Sequence, residues 1–247
     1  MPIFTYILLF LSLNNSFASD LESRADAIVS IFENGTPVIQ YDSITNIQDG
    51  RGYTAGKAGF TTANGDLLEV VIRYLKITHD SQFKPLKALL TKRAKAVSGN
   101  IQGLEKLPQI WKDSCSDAKF IGVQDQLVTD WYKTPARQAV KHYQLHSNLA
   151  YLIFYDSFIQ HGDGEDPDSV SGILKKMKSQ DLDEKKFLLS FLKARILVLQ
   201  NPADSESRDA WRESVDRVHA LERLVNQNIW DLEPPFKINV WDTDFSF

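Results

Sequence analysis

The pattern of apolar residues changes at about residue 66, and that change limits the folds this chain can adopt. Residues 38–64 are rich in Gly, Thr and aromatic side chains, with short alternating segments at 38–41 and 59–62 that are typical of strands joined by turns. From Asp66 almost to the end, apolar residues recur at helical spacing instead. We therefore expect a mostly α-helical α+β fold with one small β-sheet near the N-terminus.

Individual helices are predicted from the same periodicity. A first helix ends near Glu33, because Asn34 and Gly35 are helix stop signals. The segment 137–160 is apolar nearly all round, so we expect it to form one long, central, buried helix. An extended tail follows Pro234-Pro235. Further helices are predicted at residues 67–76, 83–96, 118–130, 167–179, 183–199 and 206–228.

The first 19 residues contain no charged side chain. An apolar core of about 11 residues followed by Ser16-Phe17-Ala18 is typical of a secretory signal peptide, and it is shorter than the ~20 apolar residues of a membrane-spanning helix. Because no Lys or Arg precedes the core, a buried helix or a membrane anchor is the alternative. We expect a signal peptide at 1–18 and a secreted protein, extracellular or periplasmic, that is not membrane-bound once the signal is removed.

Composition limits the partners of this chain. Its net charge of −4 argues against nucleic acid, which requires a clustered basic surface, and suits a polycationic ligand instead.

Cys115 is the only cysteine, so no disulfide can form within the chain. His142 and His146 have zinc-ligand spacing but lack an accompanying glutamate and a third ligand, and Pro167 interrupts a possible calcium loop at 163–168. We therefore expect no metal.

Two carboxylates occupy positions suited to glycosidic bond hydrolysis. Glu33 ends the first helix, and Asp49 lies 16 positions later in the glycine-rich segment Asn46–Gly56. In such a reaction one carboxyl protonates the leaving oxygen, and the other activates water or attacks the sugar. The chain has 32 acidic residues, so spacing alone does not identify this pair. An exposed helix end and an ordinary Asp-Gly turn are the simpler interpretation.

The residues around the two carboxylates belong to a series of motifs along the chain. The first motifs are Glu33-Asn34, Asp49-Gly50-Arg51-Gly52-Tyr53-Thr54-Ala55-Gly56, Gly59-Phe60 and Gly65-Asp66-Leu67-Leu68-Glu69. The later ones are Tyr155-Asp156, His161-Gly162-x-Gly164-x-Asp166-Pro167, Phe191-Leu192-x-Ala194-Arg195 and Asp231-Leu232-x-Pro234-Pro235. In this order they resemble the family 46 glycoside hydrolases, the chitosanases of the lysozyme-like superfamily. The resemblance covers nearly all of the chain after the signal peptide and is weakest over 97–135.

This resemblance implies a lysozyme-like, two-lobed fold with a substrate cleft between the lobes, formed by a single catalytic domain at residues 19–247. It implies a secreted endo-chitosanase that hydrolyses the β-1,4 glucosamine linkages of chitosan with inversion and without a cofactor. A single-domain secreted hydrolase is usually a monomer, so we expect a monomer. An inverting enzyme holds its two carboxyl groups about 6.5–9.5 Å apart, with water between them. The alternatives are a lysozyme-like glycosidase that acts on N-acetylated polymer (peptidoglycan or chitin) and a non-catalytic chitosan-binding homologue.

The resemblance also implies roles for particular residues. Glu33 is the general acid, Asp49 the general base, and Thr54 helps to hold the attacking water. The environments of the two carboxyls should separate their pKa values, upward at Glu33, with Asp49 ionised. Arg51, beside the base, and Asp66, toward a substrate amine, are expected to bind substrate. Arg51 could instead face solvent, and Asp66-x-x-Glu69 is also a helix-capping pattern.

A third group resembles the buried Arg-Asp-Arg network that the family places behind the acid: Asp156, Arg195 and Arg217. Buried charges of this kind set the pKa and orientation of a catalytic carboxyl, although an ion pair that only holds the fold is the alternative. The resemblance crosses an insertion before Arg217, so Arg212 or Arg208 could take its place. Within this insertion, residues 200–216, no substrate-binding residue can be assigned.

Overall fold

The structure is a computed structural model, and it describes residues 20–78, 82–177, 183–203 and 208–247. The predicted signal peptide lies outside these residues. The chain divides into two compact units, one formed by residues up to Pro37 together with Tyr132–Phe247, the other by Val38–Trp131. Within the described ranges, no helix is both long and apolar enough to cross a membrane. The extent of the catalytic domain stays a prediction.

The first unit begins with helix α1, residues 20–34. Its apolar face, which includes Ala25, Ile28 and Phe32, is buried. The helix ends at Gly35, whose φ is 68° and whose N–H donates to the Ile31 carbonyl at 2.8 Å. A residue with left-handed φ at this position is a common helix terminator, and glycine adopts it without strain. Glu33 consequently lies in the last turn of α1, as predicted.

The second unit contains the small sheet. Its three antiparallel strands lie in the order β1-β2-β3, with Thr45, Thr54 and Thr61 paired across it. The prediction of a strand at 38–41 was wrong. The Tyr41 carbonyl accepts hydrogen bonds from side chains of the neighbouring helices, including the Trp111 indole N–H at 2.9 Å, and not from a strand. The strands are β1 (Ile44–Asn46), β2 (Tyr53–Ala55) and β3 (Phe60–Thr61).

Helices pack around this sheet. The rings of Tyr74, Phe83, Trp111 and Phe120 form an aromatic core, in which five ring pairs have centroids 4.9–6.4 Å apart. Trp111 belongs to a helix that the periodicity did not predict. The helices are α2 (Asp66–Ile77), α3 (Lys87–Lys95), α4 (Leu107–Ser114) and α5 (Ala118–Val128); a 3₁₀ turn, Lys84–Leu86, precedes α3, and a π-helical turn, Thr129–Lys133, follows α5.

The rest of the first unit is helical up to a C-terminal hairpin. Helix α7 is buried at every position from Leu149 to Phe158 and is the predicted central helix. The predicted extended tail forms the hairpin β4–β5. The elements are α6 (Thr134–His142), α7 (Asn148–His161), α8 (Val170–Lys175), α9 (Glu184–Gln200), α10 (Arg208–Glu213), α11 (Val215–Asn226), β4 (Lys237–Val240) and β5 (Thr243–Ser246).

Two of the predicted helices are each divided into two, and α8 begins at Val170 and not at residue 167. The segment 137–160 is two helices, because Gln144 has a φ of 54° and the Ser147 hydroxyl caps α7. Both carboxylate oxygens of Glu184 accept backbone N–H groups from His146 and Ser147, which stabilises the break. The segment 206–228 is likewise divided, between α10 and α11. His142 therefore ends one helix while His146 lies in the loop after it.

Candidate active site

The turn that carries Asp49 connects β1 to β2 and contains two glycines in the left-handed region. Gly50 and Gly52 have φ values of 81° and 80°, which other residues rarely adopt. Gly99, in the loop after α3, lies against this turn. A Cβ at Gly99 would lie 2.0 Å from the Gly50 oxygen and 2.8 Å from the Gly52 nitrogen. The backbone position of the turn thus depends on a contact that only glycine at residue 99 permits.

Arg51 binds both carboxylate oxygens of Asp49. Oδ1 accepts the Arg51 backbone N–H at 3.0 Å, and Oδ2 lies 2.6 Å from both Nε and Nη2 of the guanidinium. Burial raises the pKa of the Asp49 carboxyl, but the hydrogen bonds and charge of Arg51 outweigh burial and bring it below its ordinary value. Asp49 is therefore ionised in mildly acidic solution, the state that a general base needs. Since Arg51 remains half exposed, it also partly faces solvent.

Thr54 lies in the middle of β2, directly after the turn. Its hydroxyl oxygen is buried, and within the described residues it has no hydrogen-bond partner. A buried hydroxyl left in this state costs about 1–3 kcal/mol. This cost makes the Thr54 hydroxyl a candidate for hydrogen bonding to a bound molecule.

Asp66 is the first residue of α2, and Gly65 precedes it as the N-cap. One carboxylate oxygen, Oδ1, accepts the backbone N–H groups of Thr61 at 2.6 Å and Leu67 at 2.9 Å. The other, Oδ2, receives no hydrogen bond from the described part of the chain. Burial raises the pKa of this carboxyl above its ordinary value, and the N–H donors offset only part of the shift. The capping pattern does not form, because Glu69 binds Arg73 at 2.9 Å.

In the first unit, Glu33 is joined to a buried guanidinium. Its side chain is 34% exposed, and its Oε1 lies 2.7 Å from Nη1 of Arg217. The Arg217 guanidinium is itself almost completely buried and lies 5.5 Å from the ring centroid of Phe32. Glu33 therefore presents a carboxyl to solvent while a buried partner fixes its orientation.

Asp156 lies behind Arg217 and completes the predicted network. Its Oδ1 accepts from Arg217 Nε at 3.1 Å, and its Oδ2 lies 2.6 Å from Arg195 Nη1. Burial raises the pKa of the fully enclosed Asp156 carboxyl, but the two guanidinium charges outweigh it and hold the pKa below its ordinary value. The arginine in this network is Arg217. Arg212 instead donates to the Gln200 carbonyl at 3.2 Å, and the side chain of Arg208 lies outside the described residues.

Three α7 residues around Arg195 were missed from the sequence. Arg195 donates from Nη1 to Ser157 Oγ at 3.0 Å, from Nη2 to the Gln160 carbonyl oxygen, and from Nε to His161 Nε2 at 3.1 Å. These residues follow Asp156 by one, four and five positions and lie toward one side of the helix. That spacing is a signal that could have identified them once Asp156 was chosen.

The structure brings the predicted residues into two groups. Glu33, Arg217, Asp156 and Arg195 form one continuous network, and Asp49 forms a pair with Arg51. Glu33 and Asp49 belong to different units, so the separation of their carboxyls stays a prediction. Across the described ranges, no group of three or more His, Cys, Asp or Glu side chains is arranged to hold a metal ion.

Comparison with known proteins gives consistent matches along the chain. The sequence model of glycosyl hydrolase family 46 matches residues 27–236. A chitosanase of Bacillus subtilis strain 168 is 40% identical over 226 residues, which are 89% of this chain and 82% of the relative. The crystal structure of a native chitosanase from Bacillus subtilis MY002 is similar with a TM-score of 0.86 and 38% identity, covering 92% of this chain and 98% of the other.

A second solved structure agrees. It is a family 46 chitosanase from Gynuella sunshinyii in complex with chitotetraose, with a TM-score of 0.85, 39% identity, and coverage of 92% of this chain and 97% of the other. These matches place the chain among the glycoside hydrolases. The chain belongs to glycosyl hydrolase family 46, because the family model spans most of its length. The predicted mostly helical, lysozyme-like α+β fold is confirmed.

Proposed function

We propose that this protein is a secreted endo-chitosanase that hydrolyses the β-1,4 glucosamine linkages of chitosan with inversion, with Glu33 as general acid and Asp49 as general base. The observation that carries this proposal is the network behind Glu33. Two buried arginines and a buried aspartate are costly to enclose, and they end on a single solvent-accessible carboxyl. Such an arrangement is typical of a functional group held in one orientation.

In the proposed reaction Glu33 transfers its proton to the glycosidic oxygen as the bond from that oxygen to the anomeric carbon breaks. Asp49 accepts a proton from a water molecule whose oxygen attacks the anomeric carbon from the opposite face. The negative charge that develops on Glu33 lies beside Arg217, 2.7 Å away, which stabilises it. The charge on Asp49 disappears as it accepts its proton, so the two carboxyls exchange protonation states.

Substrate contacts are proposed for three further residues. The Thr54 hydroxyl hydrogen-bonds the attacking water, which would satisfy a group that has no partner among the described residues. Oδ2 of Asp66 receives an ammonium group of glucosamine, since Oδ1 is already occupied by backbone N–H groups. Arg51 keeps Asp49 ionised, and its exposed edge faces the polymer. The substrate is supported by the named activity of the relatives and by the net charge of −4.

The test is cleavage of fully deacetylated glucosamine hexamer by the wild type, Glu33→Gln and Asp49→Asn. Each variant should lose at least about 100-fold in kcat, because general acid or base catalysis contributes about 10²–10⁴-fold. Glu165→Gln and Asp244→Asn are matched controls on exposed carboxylates and should stay within twofold of wild type. The anomer that forms first, followed by proton NMR, should be α.

A different experimental result would contradict each part of the proposal. Activity within about tenfold of wild type in either variant contradicts the role of that residue. A β-anomer formed first contradicts inversion. Cleavage of fully acetylated oligomers alone would indicate a glycosidase for peptidoglycan or chitin, and binding of chitosan without turnover by the wild type would indicate a non-catalytic homologue.

Secretion and a monomeric state are part of the same proposal. An apolar segment followed by Ser16-Phe17-Ala18 supports secretion with cleavage after Ala18. N-terminal sequencing of the protein from the culture medium should begin at Ser19. Light scattering after size exclusion should give the mass of one chain. A cell-bound protein that begins at Met1, or a dimer mass, would contradict these two statements respectively.

A further inference from the structure

His161 is a buried residue of the network to which the proposed mechanism assigns no role. It is the last residue of α7, and Gly162, with a φ of 66°, ends the helix after it. Its Nε2 lies 3.1 Å from Arg195 Nε, and its Nδ1 lies 2.9 Å from the Asp168 carbonyl oxygen. Both ring nitrogens therefore have a defined partner on a separate element.

These two partners determine where the proton of the ring lies. A carbonyl oxygen can only accept, so Nδ1 of His161 carries the proton and donates to Asp168. The Arg195 guanidinium can only donate, so Nε2 must be the nitrogen with the free electron pair. Only the neutral ring with its proton on Nδ1 satisfies both contacts.

The surrounding charges favour the same state. Burial and the adjacent Arg195 charge hold the pKa of His161 well below its ordinary value, with a smaller contribution from Arg217, while the Asp168 carbonyl and the Asp156 charge act in the opposite direction. With a neutral His161, the buried network holds two guanidinium charges and the Asp156 carboxylate, and it ends on the Glu33 carboxyl. A charged ring would place Nε2–H against Nε–H of Arg195 and leave an excess positive charge in a buried network.

We propose that His161 is a positioning residue for Glu33. As a fixed, neutral hydrogen-bond acceptor, it orients Arg195, and Arg195 in turn holds Asp156. Asp156 holds Arg217, which holds the carboxyl of the general acid. Arg195 is completely buried, and each of its nitrogens has a partner on α7, with Asp156 as a second partner for Nη1. Loss of the Nε acceptor leaves a buried cationic donor without a partner, so the guanidinium must move. This inference rests on the proposed role of Glu33.

Nitrogen NMR of the wild type tests the tautomer without any activity measurement. The imidazole nitrogens should show Nδ1 protonated and Nε2 unprotonated even at a pH below the ordinary pKa of histidine. His219 lies on α11 and is half exposed, so its ring nitrogens serve as a solvent-accessible reference in the same spectra. A proton on Nε2 of His161, or a doubly protonated ring at about pH 6, would overturn the inference.

Two substitutions separate the acceptor from the donor. His161→Gln can place a carbonyl oxygen where Nε2 lies and retain the acceptor for Arg195. His161→Asn can place an amide N–H₂ where Nδ1 lies and retain only the donor to Asp168. On glucosamine hexamer, the Asn variant should lose roughly 10- to 100-fold in kcat with KM within twofold, the effect of a misplaced general acid. The Gln variant should stay within about threefold of wild type.

The outcomes distinguish this inference from the proposed function. Equal losses in both variants indicate a packing role and overturn it, as does wild-type kcat in the Asn variant. A crystal structure of the Asn variant should show Arg217 displaced from Glu33; an unchanged bridge would also overturn it, with or without activity. If the wild type itself cleaves no chitosan oligomer, the proposed function fails, while NMR and the crystal structure still decide whether His161 orients Arg195.

Discussion

Gly99 gives the sharpest test of how the Asp49 turn is held. In Gly99→Ala the added Cβ would lie 2.0 Å from the Gly50 oxygen and 2.5 Å from the Gly50 carbonyl carbon, whereas real Cβ atoms essentially never approach closer than 3.0 Å. Because both contacts are to backbone, no side-chain rotation can relieve them. The turn or the Gly99 loop must move by at least about 1 Å, the difference between the 2.0 Å and 3.0 Å distances.

A shift of that size in the turn changes the position of Asp49, the residue before Gly50. A misplacement of about 1 Å can cost about 100-fold in rate, so we expect Gly99→Ala to lower kcat on glucosamine hexamer by roughly that factor. The fold should persist, because the turn is mostly exposed and its loss of contacts is local. The assay is initial-rate kinetics, with circular dichroism and the melting temperature measured on the same preparation.

Gly122→Ala is the matched control. Gly122 lies inside α5, and a Cβ there meets nothing within 4 Å. Alanine should raise stability by about 0.5–1 kcal/mol, since glycine is unfavourable within helices, and leave kcat unchanged. A folded Gly99→Ala variant with kcat within threefold of wild type would refute the view that this contact positions the base.

Three further predictions concern the contacts of Asp49, Thr54 and Asp156. In Arg51→Gln, the pKa of Asp49 should rise because its main charge partner is lost. The acidic limb of a kcat/KM pH profile should therefore move to higher pH. An unmoved limb would contradict the view that Arg51 lowers the pKa of Asp49. Thr54→Val should lower kcat without lowering the melting temperature, because it removes a buried hydroxyl without a described partner. In Asp156→Asn, two buried guanidiniums lose their shared anion, so chemical denaturation should show the free energy of unfolding lowered by about 3–5 kcal/mol. A decrease of less than about 1 kcal/mol would contradict the view that the network stabilises the fold.

Much of the fold could be predicted from the sequence because periodicity reports which face of a segment is buried. The small sheet and the central helix α7 were predicted from that pattern, and the end of α1 from the stop signals Asn34 and Gly35. The break at 143–147 was not, because it depends on Glu184, 37 residues after Ser147, accepting backbone N–H groups there. Helix α4 was missed for a related reason, since it has only eight residues and is anchored by the buried Trp111.

The residues of the candidate site, like the fold, could be predicted only in part from the sequence. Motifs identified Glu33, Asp49 and Asp156, since each lies in a short run of matched residues. They did not identify His161 as a partner of Arg195, because its role depends on which ring nitrogen meets which element. The choice of Arg217 over Arg212 also required the structure, because the two are five residues apart and only one of them lies beside Asp156.

The division of the chain into units has a consequence for synthesis on the ribosome. Val38–Trp131 is one continuous segment, whereas the first unit joins residues up to Pro37 with everything after Trp131. Contacts within a continuous segment can form as it emerges, while those between distant segments must wait for the later one. The Asp49 turn can therefore take shape early. Glu33 must wait for Arg217, 184 residues later in the chain, so the proposed acid acquires its orientation only after the segment that carries Arg217 has been synthesised.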